Sequence, residues 1–151
     1  MSSHSVNLSW NRSTKDFNYK NFNRTHNVVF SGGETIKVTS APEFFGDPAL
    51  PNPEELFVTA LASCFMLTFL SIAANKGFVI NSYVDQAEGT LSKNLEGKIA
   101  MTEVTLRPEI VFQEDKKPDE TTLHQLLEKA HANCFIANSV KTTVQIKPKY
   151  P

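Results

Sequence analysis

The stretch NPEELFVTALASCFMLTFLSIAANKGF, residues 52–78, decides the fold. Asn52 suits a helix cap, Pro53 suits the first helical position, and Glu55 completes an Asn-x-x-Glu pattern able to satisfy two backbone N–H groups reciprocally. No breaker follows until Gly77, which predicts one helix of about 24 residues, roughly 36 Å long at 1.5 Å per residue. Its middle is apolar on nearly every face. Such a helix either spans a membrane or forms the centre of a core. Thr59, Ser63, Thr68 and Ser71 interrupt the run, no second span exists and the flanking sequence is β-rich, so a core helix is expected. One small domain has little material to cover it on all sides, and a second copy of the chain is expected to supply the rest.

Upstream, Val6, Leu8 and Trp10 alternate on one face of a short strand, and an Asn- and Lys-rich turn or loose hairpin follows to Tyr19. Two strands, His26 to Phe30 and Thr35 to Thr39, flank the turn residues Ser31-Gly32-Gly33. Three prolines and a glycine make residues 41–51 a loop, with Phe44 and Phe45 needing cover. Downstream, Val79 to Ser92 and Lys98 to Phe112 read as long strands joined by a turn at 93–97. The apolar phase of the second switches near Thr102 and Glu103, the mark of a β-bulge. The segment TTLHQLLEKAHANCF predicts an amphipathic helix with Leu123, Leu126, Leu127, Ala130 and Cys134 inward, and Val140 to Ile146 is a last strand. The order strands, helix, strands, helix, strand gives an α+β fold of one domain over 1–151, its sheets packed on a central helix.

At 151 residues and a net charge of −1, with charges scattered, the chain lacks the basic stripe that a nucleic-acid partner requires. Its first residues, MSSHSVNLSW, carry no secretory pattern, and a cytoplasmic address is expected. In that reducing compartment two cysteines are free, metal-bound or redox-active rather than a structural bridge.

Cys64 falls in mid-helix, where burial alone raises a thiol's pKa, so reactivity needs a cation nearby. Arg24 and Lys76 are the candidates; a guanidinium stays charged when partly buried and can bond both a thiolate and a carboxylate. The plain alternatives are an inert core thiol and a solvated edge-strand arginine. Glu54 and Glu55 suit the positive end of the helix, and either could also hold an arginine. His131 and Cys134 are three apart on a helix, but no paired zinc spacing accompanies them and no metal site is expected. The chain has no phosphate loop, nucleophile elbow or dinucleotide fingerprint, and no cofactor is expected.

The run 52–78, followed seventy residues after Cys64 by EKAHANCFIANSV around Cys134, resembles the OsmC/Ohr family of osmotically induced and organic hydroperoxide resistance proteins. The resemblance rests on Asn-Pro-Glu-x-Leu, a cysteine ten residues after the glutamate and a second cysteine in a later helix. It implies an intertwined homodimer with thiol-based peroxidase activity toward organic hydroperoxides. Cys64 would be oxidised to a sulfenic acid, Cys134 would resolve it to a disulfide, and a small or protein-bound dithiol would restore both. Glu54 would orient the arginine that activates Cys64. The loop before the helix holds no basic residue, so Arg24 takes that place, with His26 beside it and Phe44 and Phe45 toward the substrate. Phe135 stands where proline is frequent. A dimeric binding protein that keeps an apolar pocket near Phe44, Phe45 and Cys64 is the alternative.

Overall fold

In a computed structural model, which describes residues 1–149, the chain divides into two compact units, Met1–Leu56 and Phe57–Pro151. The first unit holds a three-stranded antiparallel sheet, β1 (Val6–Ser9), β2 (His26–Phe30) and β3 (Thr35–Val38), in that order. The β2–β3 turn closes with Phe30 N–H donating to Glu34 O at 2.9 Å, and Gly33 supplies the left-handed backbone at φ 90°. Residues 41–51 form the expected loop, tied back by Thr39 N–H to Pro51 O at 2.9 Å. Within it Phe45 also adopts positive φ, at 63°, and a Cβ on Gly46 would lie 1.5 Å from Ser40 O, so only glycine fits after it.

The helix α1 (Pro53–Asn75) begins as its sequence predicts. Asn52 N–H donates to Glu55 Oε2 at 3.1 Å, and Glu55 N–H donates to Asn52 Oδ1 at 2.9 Å. It ends in a left-handed Gly77 at φ 81°, with Phe78 N–H reaching back to Ala73 O at 3.1 Å, the bond that satisfies an end carbonyl. Of its apolar residues, Leu61, Phe65, Phe69 and Ala73 are buried, one stripe at four-residue spacing. Leu67, on another face, remains 57% exposed. The helix is long and apolar enough to cross a membrane by length and composition, yet its buried stripe is the centre of the second unit's core. Val104 and Leu106, with Leu126, Leu127, Ala130 and Cys134, complete that core.

Both long strands expected downstream break in two. The first becomes β4 (Ile80–Asp85) and β5 (Glu88–Lys93), and the second β6 (Ile99–Leu106) and β7 (Pro108–Phe112). β4 pairs β7 and β5 pairs β6, both antiparallel, with the breaks opposite each other at Gln86–Ala87 and Arg107. The bulge falls where the phase switch put it: Thr90 faces Glu103, Leu91 faces Met101, and Thr102 is the extra residue. The helix α2 (Glu120–Asn133) starts on Asp119, whose side chain accepts from Thr122 N–H at 2.7 Å. The last strand, β8 (Thr143–Ile146), runs parallel to β6, among the described residues the one strand pair that departs from the antiparallel pattern.

Candidate functional site

The second unit holds the two thiols side by side. Cys64 is half-buried on α1, and Cys134 is 1% exposed where the chain leaves α2; both are free. The helix ends there because Cys134 turns extended at ψ 112°, while Ala137 N–H donates to its Sγ at 3.5 Å and Asn138 N–H to its carbonyl at 3.0 Å. Burial foremost, then a hydrogen bond to the neighbouring Cys64, pushes the Cys134 thiol from 9.0 up to about 11. Cys134 is therefore a protonated thiol at neutral pH, packed against Cys64. Lys76 does not serve Cys64: it is exposed and lies just past the end of α1, whose last residue is already about 16 Å of rise beyond Cys64.

The first unit holds the cation. Arg24 is half-buried rather than solvated, its Nη1 donating to Phe22 O at 2.9 Å and its Nη2 to Tyr19 O. The guanidinium carbon lies 4.0 Å from the centre of the Phe22 ring, 5.2 Å from Phe45 and 5.5 Å from Tyr19. Phe45 reaches it from the left-handed turn described above and meets Tyr19 edge-on. His26 opens β2, its Nδ1 donating to Arg24 O at 3.0 Å, and with Phe44 it lines a 420 Å³ pocket that also includes Arg24. Thus Arg24, His26, Phe44 and Phe45 gather together. Glu54 does not pair with Arg24; its Oε2 is shut off from solvent without a hydrogen-bond partner. Main-chain carbonyls and aromatic rings hold the arginine in the single chain, where a carboxylate was expected.

Two features were not singled out in the sequence. Phe17 and Tyr19, in the segment read as a loose hairpin, and Phe22 just after it wall the pocket around Arg24 together with Trp10, which was read as a strand residue but lies beyond the end of β1 at Ser9. Tyr83 and Asp85 share one face of β4, as i and i+2, beside a 380 Å³ pocket lined also by Thr59 and Ser63 of α1. Asp85 Oδ1 accepts from Arg107 N–H at 2.7 Å, while Oδ2 and the Tyr83 hydroxyl lie close together, sealed from solvent and without a well-aligned bond. Burial raises both groups above their ordinary pKa, most strongly Tyr83. Among the described residues no three of His, Cys, Asp and Glu cluster as a metal site would need.

Comparison with known proteins decides the family, because the family model described as OsmC-like protein matches residues 46–149. The chain belongs to the OsmC-like protein family. A solved structure of an OsmC-like protein of unknown function from Vibrio cholerae is 42% identical to this OsmC-like chain. It covers 99% of this chain and 100% of its own, with a TM-score of 0.95. The uncharacterised protein YmaD of Bacillus subtilis is 24% identical over 127 residues, 83% of this chain and 84% of YmaD. Peroxiredoxin OsmC of Escherichia coli is 27% identical over 95 residues, 63% and 64% of the two chains. The organic hydroperoxide resistance protein OhrB of Bacillus subtilis shares the fold at 19% identity, with a TM-score of 0.68 over 97% of this chain and 98% of its own.

Proposed function

We propose that this OsmC-like chain is a thiol peroxidase that reduces organic hydroperoxides in the cytoplasm. The observation that carries the reading is the pair of free thiols, one half-buried and accessible, the other sealed and held protonated. Cys64 thiolate attacks the distal oxygen of ROOH; the O–O bond breaks, the alkoxide takes a proton and leaves as ROH, and Cys64 becomes a sulfenic acid. Cys134 then attacks that sulfur, its proton leaving with the sulfenic hydroxyl as water, and a disulfide forms. A dithiol reductant exchanges with the disulfide, ends oxidised itself and restores both thiols.

The thiolate needs a cation, and in this reading Arg24 supplies it with Glu54 as its orienting carboxylate. Glu54 and Cys64 are ten residues apart on α1, about 15 Å of rise and roughly 80° of rotation, so their side chains cannot meet along one unbroken helix. The site is therefore composite in a homodimer, with Cys64 and Cys134 from one chain and Arg24 and Glu54 from the other. Phe44, Phe45 and His26 accompany the arginine and meet the organic group of the substrate. The uncovered apolar faces of α1 support a second copy as the partner.

The test is consumption of an alkyl hydroperoxide in the presence of a dithiol. Wild-type protein should turn over, and Cys64→Ser should lower the rate to background. No consumption, with both thiols still reduced after exposure, would favour a dimeric binding protein that uses the fold and its apolar pocket without turnover.

A further inference from the structure

One titratable group of the second unit takes no part in the peroxidase steps described above. His131 stands in the last turn of α2, three residues before Cys134. Its imidazole is half-buried, and Nδ1 is shut off from solvent without a hydrogen-bond partner. That burial lies within one chain, so a second copy cannot undo it. An unpaired ring nitrogen sealed inside a protein costs free energy, and packing alone gives no reason to keep it. A metal does not explain it either, since no three of His, Cys, Asp and Glu cluster among the described residues.

Helix geometry brings His131 and Cys134 together. Cys134 N–H donates to His131 O at 3.3 Å, and the Cys134 φ of −72° keeps its β-carbon on the helical path. The two side chains are therefore neighbours on one face of α2, with β-carbons about 5–6 Å apart. The carbonyl end of a helix favours positive charge in its last turn, which suits an imidazole that takes up a proton. Cys134 is 1% exposed, and its sulfur meets Cys64 and the N–H groups of Ala137 and Ile136. Those N–H groups stabilise a thiolate but cannot accept a proton. The thiol must nonetheless give its proton up when the disulfide forms and recover it when the disulfide is reduced.

We infer that His131 carries the proton of Cys134 in both halves of the thiol cycle, with Nδ1 as the carrying atom. The inference deepens the peroxidase reading and rests on it for the sulfenic acid. When Cys134 attacks oxidised Cys64, Nδ1 takes the S–H proton, the S–S bond forms and the S–O bond breaks. The departing hydroxide takes the proton from the imidazolium and leaves as water. On the way back, one thiolate of the dithiol attacks Cys64, the more accessible sulfur, and the S–S bond breaks. Cys134 leaves with the electron pair and receives a proton from His131, which the second S–H of the dithiol replaces. The second sulfur then displaces Cys64 as a thiolate and closes the reductant's own disulfide.

Rapid quench after one equivalent of an alkyl hydroperoxide, read by mass, separates sulfenic acid formation from disulfide closure. His131→Asn sets an amide near the place of Nδ1 but cannot carry a proton, and His131→Gln is the second variant if the first does not fold. Either should form the sulfenic acid at the wild-type rate and close the disulfide about a hundredfold more slowly, as loss of a general acid–base group does. Reduction by dithiothreitol of a disulfide made with diamide should slow similarly, while its equilibrium in a dithiothreitol redox buffer stays unchanged, because a proton carrier alters rates and not end states. Wild-type closure in a folded variant, equal slowing of both oxidation steps, a shifted equilibrium, or no disulfide with diamide would overturn the inference. The diamide arm needs no peroxide. A wild-type protein that ignores hydroperoxides, with variants that still release Cys134 slowly, would remove the peroxidase and keep the proton carrier.

Discussion

The two units of the chain use their apolar residues in opposite ways. From Phe57 onward, Leu61, Phe65, Phe69, Val104, Leu106, Leu126 and Leu127 are packed into one cluster, and Cys134 is part of it. Before Leu56, only Val28, Val38 and Ala41 are buried among the apolar residues, while Trp10, Phe17, Tyr19, Phe44 and Phe45 stand exposed. The aromatic residues of the first unit hold a cation and line a pocket; those of the second hold a fold. Chemistry divides along the same line. Packing a thiol into a core makes it a poor acid, which suits a resolving cysteine but does nothing to activate an attacking one. A guanidinium caged by rings stays charged but has no nucleophile of its own to serve. Each unit holds the part for which its own packing is fit.

That contrast breaks first at the cores. Phe65→Ala should destabilise by about 3–5 kcal/mol through the cavity left in a closed cluster, whereas Phe17→Leu should stay within about 0.5 kcal/mol. Equal shifts of the two denaturation midpoints would mean that the first unit's rings are structural after all.

Arg24→Ala should slow peroxide turnover by about a hundredfold, a typical effect of losing one electrostatic stabiliser. Unchanged turnover would remove the arginine from the mechanism and leave its cage as packing.

The second unit makes a complementary prediction for Cys134. Its pKa is raised from 9.0 to about 11, so the folded state keeps the proton that the unfolded chain gives up first. The stabilisation associated with that thiol is full below pH 9 and is lost as pH rises toward 11. Differential alkylation should find Cys134 inert at pH 8, and Cys134→Ser should leave stability nearly unchanged while Cys64 proceeds to sulfinic acid under peroxide. A large loss of stability in the wild-type protein on reduction would instead mark the oxidised pair as a staple.

Smaller effects sharpen the boundary between the units. Asn52→Ala removes half of the reciprocal cap at the start of α1 and should lower stability by about 1 kcal/mol. Asp85 has a folded pKa raised by burial, so its ionised form opposes folding. Between its ordinary pKa of 3.8 and the raised value, the wild-type protein should lose stability relative to Asp85→Asn as pH rises, measured as a widening gap between the two melting temperatures.

The elements with strong local signals were legible in the sequence. The cap at Asn52, the stop at Gly77, the bulge at Thr102 and the inward face of α2 all follow from residue types whose backbone preferences act within a few positions. The breaks at Gln86–Ala87 and Arg107 were not legible, because alternation continues through them and only the pairing shows where the ribbon divides. The parallel partner of β8 depends on contacts with β6, about forty residues away, for which no periodicity exists. Cys64 and Cys134 could be named from their elements, but the cage around Arg24 could not. Asn, Lys and aromatic residues in irregular order have no period, and the bonds of Asn23 that organise them are visible only in three dimensions. The close approach of Tyr83 and Asp85 was open to inference from their i, i+2 spacing on a strand, but their burial was not.

The central claim is that thiols and arginine act together although they belong to different chains of a dimer. Mixing Cys64→Ser subunits with Arg24→Ala subunits tests it directly, since a heterodimer then contains one site with both mutations and one with neither. The account predicts that the two inactive homodimers, allowed to exchange, regain about half of the wild-type turnover per heterodimer. Complete subunit exchange, verified by mass, with no return of activity would contradict it.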